Sequence, residues 1–325
     1  GENAPCYDVI WNHQSKNSSE SMPCGGGDIG LNVWVEDGDV LFYISRSGTF
    51  DGNNTLLKLG RIRLRLYPNP LLGTDFKQTL KLEDGCVVIE GADKDINTKV
   101  RIWVDIFNPV VNIDVENNRA LIAEVFYENW RHEDRELRKN ESNQNSYKWA
   151  APKGLVTKKD EVTFDGDRVL FYHQNTGKTV YDATLQQQGL ADYRAQITNP
   201  LEDLVFGGVV EAVGFKNGGT ILGTYAATDY KAWRLVSEKA KKKHTISVKL
   251  HTEITKDISQ WNKSLYAIKA QPHSKTIKWW NDFYQKSYIR IDESNVGSEA
   301  YEIGQNYQLF RYMLGCNAYG DYPTK

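Results

Sequence analysis

The sequence lacks any apolar run approaching the roughly 18–20 residues that a membrane-spanning helix needs. It also lacks an excess of either charge, since 40 Lys and Arg face 42 Asp and Glu for a net charge of −2. This balance argues against a nucleic-acid partner, which calls for a basic surface. The one dense cationic run, residues 239–243 beside His244, is typical of a solvated face or of the start of a strand.

Cysteine is scarce as well, with four residues in the chain. Four are too few for a disulfide scaffold, and none has the paired C-x-x-C spacing of a zinc site. A disulfide bridge between Cys6 and Cys24 requires an oxidising compartment and hence export of the protein. Both the bridged and the free forms fit the sequence. Residues 132–136 begin like the H-E-x-x-H zinc motif, but Glu136 stands where the second His is required. We therefore expect a charged loop there, no metal and no cofactor.

The first residues carry no charged-then-apolar leader. Residues 1–5 read Gly-Glu-Asn-Ala-Pro, which suits the start of a mature chain after removal of a signal peptide. We therefore expect an exported protein, either periplasmic or extracellular.

Aromatic side chains, by contrast, make up 12% of the chain, with 9 Trp and 18 Tyr. Such rings fill large β cores, and they also form platforms on which sugar rings stack. Core filling is the more common role for any one of them. With 40% hydrophobic and 25% charged residues, the composition is that of a globular protein large enough for one big β domain or two modest domains.

Alternating apolar and polar residues predict antiparallel β-strands over most of residues 29–255. Residues 29–36 and 40–46 alternate on either side of Asp37-Gly38, which is a hairpin signature. Similar turn signals recur farther along, at Asp84-Gly85, Asp165-Gly166 and Asn217-Gly218-Gly219. The polar segment 131–146 predicts a long surface loop. This spacing favours a large sandwich of antiparallel sheets over βαβ units, and we assign residues 1–256 to one β domain.

The hydrophobic period changes after Asp257. Ile258, Trp261, Leu265 and Ile268 are spaced 3, 4 and 3 residues apart, as one face of a helix requires. Two further stripes predict a helix over 273–288 and another that ends at Gly320, with members Ile277, Trp280, Tyr284, Tyr288, Ile303, Tyr307, Phe310 and Leu314. We assign residues 257–325 to two or three C-terminal α-helices.

Residues 25–30 read Gly-Gly-Gly-Asp-Ile-Gly and fit the G-x-G-x-x-G fingerprint of dinucleotide-binding folds. That fingerprint needs a helix directly after it, so that the pyrophosphate meets the helix N-terminus. A segment with a two-residue period follows here instead. We interpret residues 25–30 as a tight glycine turn that feeds the first long strand.

Two segments resemble a known group of proteins. Residues 21–36 read Ser-Met-Pro-Cys-Gly-Gly-Gly-Asp-Ile-Gly-Leu-Asn-Val-Trp-Val-Glu. Together with residues 41–51 and 57–61 they resemble the opening block of a bacterial domain family of unknown function. That family precedes glycoside-hydrolase-like helical barrels. Residues 279–289, which begin Trp-Trp-Asn-Asp-Phe-Tyr, and residues 307–325 resemble the linker helix and first barrel helix of glycosidase families related to α-L-fucosidases and maltose phosphorylases.

The resemblance implies a β-supersandwich followed by the start of an (α/α)6 barrel, with carbohydrate as the ligand. In those relatives the general acid and the water-activating carboxylate lie in the barrel, beyond the segment that resembles residues 322–325. No catalytic residue can therefore be carried over. Sandwich loops of such enzymes reach the pocket mouth, and our candidate substrate-binding residues are Trp11, Asn12, Asp28, Arg46 and Asp51. Turn capping, hairpin ion pairing and local packing are their alternative roles.

Three functions follow from these observations. The one we favour is the non-catalytic N-terminal portion of a glycoside hydrolase, inactive alone and supporting the barrel and its pocket mouth. The second is a stand-alone carbohydrate-binding module, suggested by the aromatic content. The third is a structural or assembly module that docks through Phe310, Met313 and Leu314.

Overall fold

The computed structural model describes residues 7–136, 156–176, 201–286 and 299–316. These residues form a mostly β, antiparallel fold with three helices at the C-terminal end, which confirms the predicted fold class. The strands are β1 (Val9–Trp11), β2 (Met22–Gly26), β3 (Ile29–Glu36), β4 (Asp39–Arg46), β5 (Gly60–Tyr67), β6 (Asp75–Lys81), β7 (Cys86–Asp93), β8 (Ile96–Val104), β9 (Val110–Asn129), β10 (Arg135–Glu136), β11 (Val156–Thr157), β12 (Glu161–Asp165), β13 (Arg168–Gln174), β14 (Leu204–Ala212), β15 (Phe215–Tyr225), β16 (Thr228–Ser237) and β17 (Lys241–Ile254). The helices are α1 (Ile258–Tyr266), α2 (His273–Lys286) and α3 (Glu299–Cys316).

The long strand β9 joins two layers of sheet. Its first half pairs with β8 and β17, and its second half pairs with β5 and β16. The first layer has the order β1-β6-β7-β8-β9-β17-β14-β13-β12, and the second has the order β2-β3-β4-β5-β9-β16-β15. Strands β10 and β11 form a separate pair. One chain segment thus belongs to both layers and closes the sandwich along one side.

The core lies between the layers because each strand buries every second side chain. On β3, Leu31 and Val33 point into the core and are almost fully buried. The ring of Tyr127 on β9 stacks on that of Phe171 on β13, with centroids 4.2 Å apart. Full burial of one such side chain contributes about 1.5–3 kcal/mol.

Helix α1 covers part of the outer face of the first layer. Asp257 caps it, since its side chain accepts a hydrogen bond of 2.9 Å from the backbone N–H of Ser259. The buried Trp261 and Leu265 pack on a small cluster that includes Val205. The predicted first stripe is therefore a helix with its apolar face inward.

Helices α2 and α3 join the main core at one end of the sandwich. Trp280 of α2 is fully buried, and its ring stacks on that of Tyr312 of α3 with centroids 5.0 Å apart. Trp280 lies against Gly85, whose φ of 64° and lack of a side chain permit this close approach. The Tyr312 hydroxyl donates to the Pro23 carbonyl at 3.0 Å. The division between residues 256 and 257 stays a prediction.

Three of the four predicted hairpin turns are confirmed, at Asp37-Gly38, Asp84-Gly85 and Asp165-Gly166. The fourth, at residues 217–219, is wrong. This segment lies inside β15 as a bulge, where the Gly219 N–H donates to Asn217 Oδ1 at 2.9 Å. The turn comes instead between β15 and β16, where Ala226 and Ala227 have φ values of 48° and 64°. Gly can adopt positive φ in a β-bulge as well as in a turn, so an Asn-Gly pair occurs in both.

Two further predictions fall partly outside the described residues. Of the predicted surface loop 131–146, residues 135–136 form β10, and 137–146 are not described. The predicted second helix is described as far as Lys286, and the third as far as Cys316. None of the described helices is long and apolar enough to cross a membrane.

Candidate functional site

The five predicted substrate-binding residues occupy three places in the structure. Trp11 at the end of β1 packs half-buried against the main core, whereas Asn12 is exposed and lines an open cleft. Asp28 and Arg46 come together as an ion pair. Asp51 is buried in the β4–β5 connection. A role of any of them in substrate binding stays a prediction.

The cleft beside Asn12 has a volume of about 810 Å³ and lies over β6 to β9. Across these strands Lys77, Glu90, Lys99 and Glu116 are direct cross-strand partners and alternate in sign. Opposite charges at facing positions stabilise a sheet. The four charges therefore balance one another, and no ligand is needed to neutralise them.

The helical end of the sandwich is the end where α2 meets the β8–β9 connection. The Ile106 N–H donates to Thr276 Oγ1 of α2 at 3.3 Å, and the Gln271 N–H donates to Asp105 Oδ2 at 2.7 Å. Ile106 in turn lies against Gly26, at the end of β2. Asp28 follows in the next turn, so the ion pair with Arg46 lies at the helical end.

The ion pair between Asp28 and Arg46 bridges the β2–β3 turn and the end of β4. Arg46 Nε lies 3.0 Å from Asp28 Oδ2, and both side chains are mostly buried. Arg46 Nη1 is buried without a hydrogen-bond partner, as is His251 Nε2. Burial lowers the pKa of His251; Glu253 opposes that shift, and Arg46 adds to it. Hairpin ion pairing, the alternative role, is thus what Asp28 and Arg46 display.

Asp51 closes a tight turn. Its Oδ1 accepts hydrogen bonds from the backbone N–H groups of Asn53 at 2.9 Å and Thr55 at 3.0 Å. Burial raises the pKa of Asp51, while those hydrogen bonds and the charges of His173 and Arg131 lower it. The adjoining cavity, of about 10 Å³, has room for a water molecule but not for a sugar ring. Asp51 therefore has the contacts of a turn cap.

Behind Asp51 lies a buried set of charges that we call the loop network: Asp51, Arg131, Asp160 and His173. Arg131 Nη2 lies 2.6 Å from Asp160 Oδ2, and His173 Nδ1 lies 2.9 Å from Asp160 Oδ1. Burial raises the pKa of Asp160, but Arg131 and His173 outweigh it and hold that pKa at about 2. Asp160 is therefore an ionised structural anchor rather than a proton donor.

A second set of charges, the strand ladder, consists of Asp39, Arg61, Arg63, Arg65 and Glu128 on the outer face of the second layer. All but Arg65, whose side chain is 45% exposed, are mostly buried. Arg61 Nε and Arg63 Nε donate to the two oxygens of Glu128 at 2.7 and 2.9 Å. Arg63 and Arg65 share Asp39 at 2.9 and 2.8 Å. Each carboxylate thus serves two guanidinium groups.

Arg61 is enclosed by aromatic rings. Its guanidinium carbon lies 4.6 Å from the Tyr225 ring centroid and 4.9 Å from that of Tyr230. Tyr225 lies at the tip of the β15–β16 hairpin on the far edge of the layer, yet its hydroxyl donates to Glu36 on β3 at 2.9 Å. The hairpin tip therefore folds across the outer face and is held there by cation–π contacts.

Cys24 is a buried free thiol, as is Cys316. Burial is the main cause that raises the pKa of each to about 12, which makes both poor nucleophiles. Cys6 lies outside the described residues.

Glycoside hydrolysis needs two carboxyl groups facing one bond, about 5–9.5 Å apart. Asp28 is paired with Arg46, and Asp51 lies beside a cavity too small for a sugar. Neither Asp28 nor Asp51 therefore has the setting of a catalytic acid or nucleophile. Nor do any three His, Cys, Asp or Glu side chains in those residues group as a metal site would require.

A family model described as a domain of unknown function, DUF5703, matches residues 10–289. No curated protein sequence matches the chain.

Several chains in solved structures match this chain at low similarity. One is a candidate kojibiose phosphorylase from the human microbiome, with a TM-score of 0.48 and 13% identity over 96% of this chain and 42% of its own. A bacterial glucoamylase solved with acarbose has a TM-score of 0.38 and 7% identity over 95% of this chain and 43% of its own. A family GH92 α-mannosidase from Bacteroides thetaiotaomicron has a TM-score of 0.32 and 7% identity over 91% and 38%. The chain spans about two-fifths of the length of these proteins.

Proposed function

The chain belongs to the family described as a domain of unknown function, DUF5703, and we propose that it forms the non-catalytic N-terminal portion of an exported enzyme that acts on glycosidic bonds. In this proposal the β-supersandwich supports an (α/α)6 barrel of the same polypeptide and borders the mouth of its pocket. The resemblance of residues 21–36, 41–51, 57–61, 279–289 and 307–325 to such proteins supports the proposal.

The observation that carries the proposal is that α3 has apolar side chains on two sides. Tyr312 and Cys316 are buried in the main core. Phe310, Met313 and Leu314 are 62%, 43% and 53% exposed, and their i, i+3, i+4 spacing forms one stripe. A helix that is apolar on more than one side is normally buried by further structure. We assign this stripe to the helices that follow α3 in the barrel.

The loops of the helical end are suited to border a pocket in that barrel. Cys316 at the end of α3 lies against Gly25, three residues before Asp28. Asp51 follows in the connection that Thr49 ties to the Arg46 carbonyl through a hydrogen bond of 3.0 Å. A barrel that continues from α3 would meet these loops first. Their polar groups are the ones we propose as neighbours of a bound glycan.

The proposal is tested by comparing chain 1–325 with the native polypeptide, captured from source cells by an antibody raised against 1–325. Both are assayed on a panel of nitrophenyl glycosides and disaccharides, with and without phosphate. We expect cleavage by the native polypeptide and none by 1–325. Cleavage by 1–325 that disappears in Asp28→Asn or Asp51→Asn, but survives the surface control Asp95→Asn, would overturn the non-catalytic role.

An assembly role is the second candidate, because the same α3 stripe is exposed enough to join two molecules. Light scattering of the native polypeptide distinguishes the assembly role from the role in an enzyme. A monomer indicates that the stripe is covered within one molecule. An oligomer that dissociates in Phe310→Ser, but not in the control Leu222→Ser, indicates assembly, since Leu222 is even more exposed than Phe310.

A further inference from the structure

A second cleft lies at the end of the sandwich opposite to the helices, beside the β3–β4 turn. It has a volume of about 430 Å³, within the range of small-molecule sites. Its walls come from the turn, from the end of β5 and from the short 3-10 turn Pro70–Leu72. We call it the turn cleft.

Four polar side chains of the turn cleft, those of Asp39, Arg63, Arg65 and Asn69, are held in place before any ligand arrives. Asp39 accepts hydrogen bonds from Arg63 at 2.9 Å and from Arg65 at 2.8 and 2.9 Å. Asn69 donates to the Gly38 carbonyl at 2.9 Å and accepts from the Leu71 N–H at 3.0 Å. Groups fixed in this way lose little conformational entropy when a ligand binds.

The rim of the turn cleft carries an aromatic ring that faces solvent. Tyr67 is 71% exposed, on the same face of β5 as Arg63 and Arg65, and Leu72 beside it is 65% exposed. An exposed phenol ring offers an apolar surface with a polar tip. Sugar rings have the complementary character, with an apolar face of C–H groups and hydroxyls around the edge.

The charges of the turn cleft favour a neutral ligand over an anion. Glu36, Asp37 and Asp39 contribute three negative charges, against two positive charges from Arg63 and Arg65, so the lining has a net charge of −1. Both guanidinium groups are already committed to carboxylates of the strand ladder. Carboxylates such as Asp37 accept hydrogen bonds from hydroxyl groups and repel phosphate or uronate.

We propose that the turn cleft binds a neutral sugar, with Tyr67 stacked on the ring and Asp37 and Asn69 bonded to its hydroxyls. This site lies wholly within chain 1–325. It therefore stands or falls independently of the proposed enzymatic role, and glycan binding here would not by itself make the chain part of an enzyme.

The test is a titration of chain 1–325 with maltotriose, mannotriose and xylotriose in turn, and with trigalacturonate as the anionic comparison, followed by amide NMR. We expect at least one neutral trisaccharide to shift the amides of residues 37–39 and 67–72. Tyr67→Ala should weaken that binding about threefold to tenfold. Asp37→Asn should also weaken it, while keeping the fold, because Asn tolerates the φ of 50° at this position.

Phe107→Ala is the matched control, since Phe107 is 48% exposed at the helical end. The proposal is overturned if no neutral trisaccharide binds up to its solubility limit. It is also overturned if trigalacturonate binds as tightly as the best neutral sugar, or if Phe107→Ala weakens binding as much as Tyr67→Ala.

Discussion

The strand ladder and the loop network both bury charge, but they are built in different ways. In the ladder, Arg61 and Arg63 alternate along one strand and share Glu128, which is their neighbour on β9. In the network, Arg131 and Asp160 lie on either side of the β10–β11 pair, and the Asp160 N–H donates to the Arg131 carbonyl at 2.7 Å. Each ladder carboxylate contacts two guanidinium groups, and Arg63 contacts both carboxylates, so the ladder tolerates the loss of one contact. The network rests on Asp160 alone.

Removing Asp160 should therefore have the largest effect. Asp160→Asn leaves the buried guanidinium of Arg131 without its counter-charge, and breaking a buried pair in this way costs about 3–5 kcal/mol. Urea unfolding measures the loss. The matched control is Asp95→Asn, which breaks an exposed pair with Arg119 and should cost about 1 kcal/mol or less. Equal losses in the two variants would refute a special role for the network.

Removing Glu128 should cost less, about 2–4 kcal/mol. In Glu128→Gln, Arg63 keeps Asp39, and Arg61 stays among its aromatic rings. Glu124→Gln is the control, because Glu124 pairs with the half-exposed Arg234 on the same strand face. A larger loss in Glu128→Gln than in Asp160→Asn would reverse the comparison.

Acid should weaken the network through Asp160. Its pKa falls from an ordinary 3.8 to about 2 in the folded protein, so the unfolded chain takes up this proton first. The stabilisation is present above about pH 4 and is lost as the pH falls towards 2, by about 2 kcal/mol in all. The pKa of Asp51 is raised in the folded protein, so the folded chain binds this proton more tightly than the unfolded chain does. Protonation of Asp51 therefore stabilises the fold as the pH falls.

The measurement is the difference in unfolding free energy between wild type and Asp160→Asn as a function of pH. We expect this difference to shrink between about pH 4 and pH 2. A difference that stays constant over that range would show that Asp160 is not the group that titrates.

The smallest effect should come from the hairpin tip. Tyr225→Phe removes the hydroxyl that bonds Glu36 and the Ser18 N–H but leaves the ring over Arg61, so we expect a loss of about 0.5–1.5 kcal/mol. Hydrogen exchange of the β15–β16 amides reports the loosening of the tip. Unchanged exchange there would mean that the ring alone holds it.

The same contrast shows how far the sequence could be interpreted. Period-two alternation predicts strands and puts Arg61, Arg63 and Arg65 on one face, but their partner Glu128 follows only from the pairing of β5 with β9. Turns with Gly after Asp were predicted correctly because Gly adopts positive φ at little cost. The turn at Ala226-Ala227 carries no such signal, and tertiary contacts at the hairpin tip hold it.

The candidate site was harder to predict than the fold. Asp28 and Arg46 are brought together by the β3–β4 hairpin, and that hairpin can be predicted from the alternation of neighbouring residues. Arg131, Asp160 and His173 have no spacing that marks them, because their contact depends on how the β9–β10 and β11–β12 connections meet strand β13. Trp11, the last residue of β1, packs against the core, whereas Asn12 follows the strand and is exposed beside the open cleft.

The most direct test of the central claim is the mass of the native polypeptide in its source cells, from capture with an antibody against 1–325 followed by mass spectrometry. Our account predicts a species with several hundred further residues, in which the α3 stripe is covered by the helices that follow. A species that ends near Lys325 would contradict it and leave binding or assembly as the function of this chain.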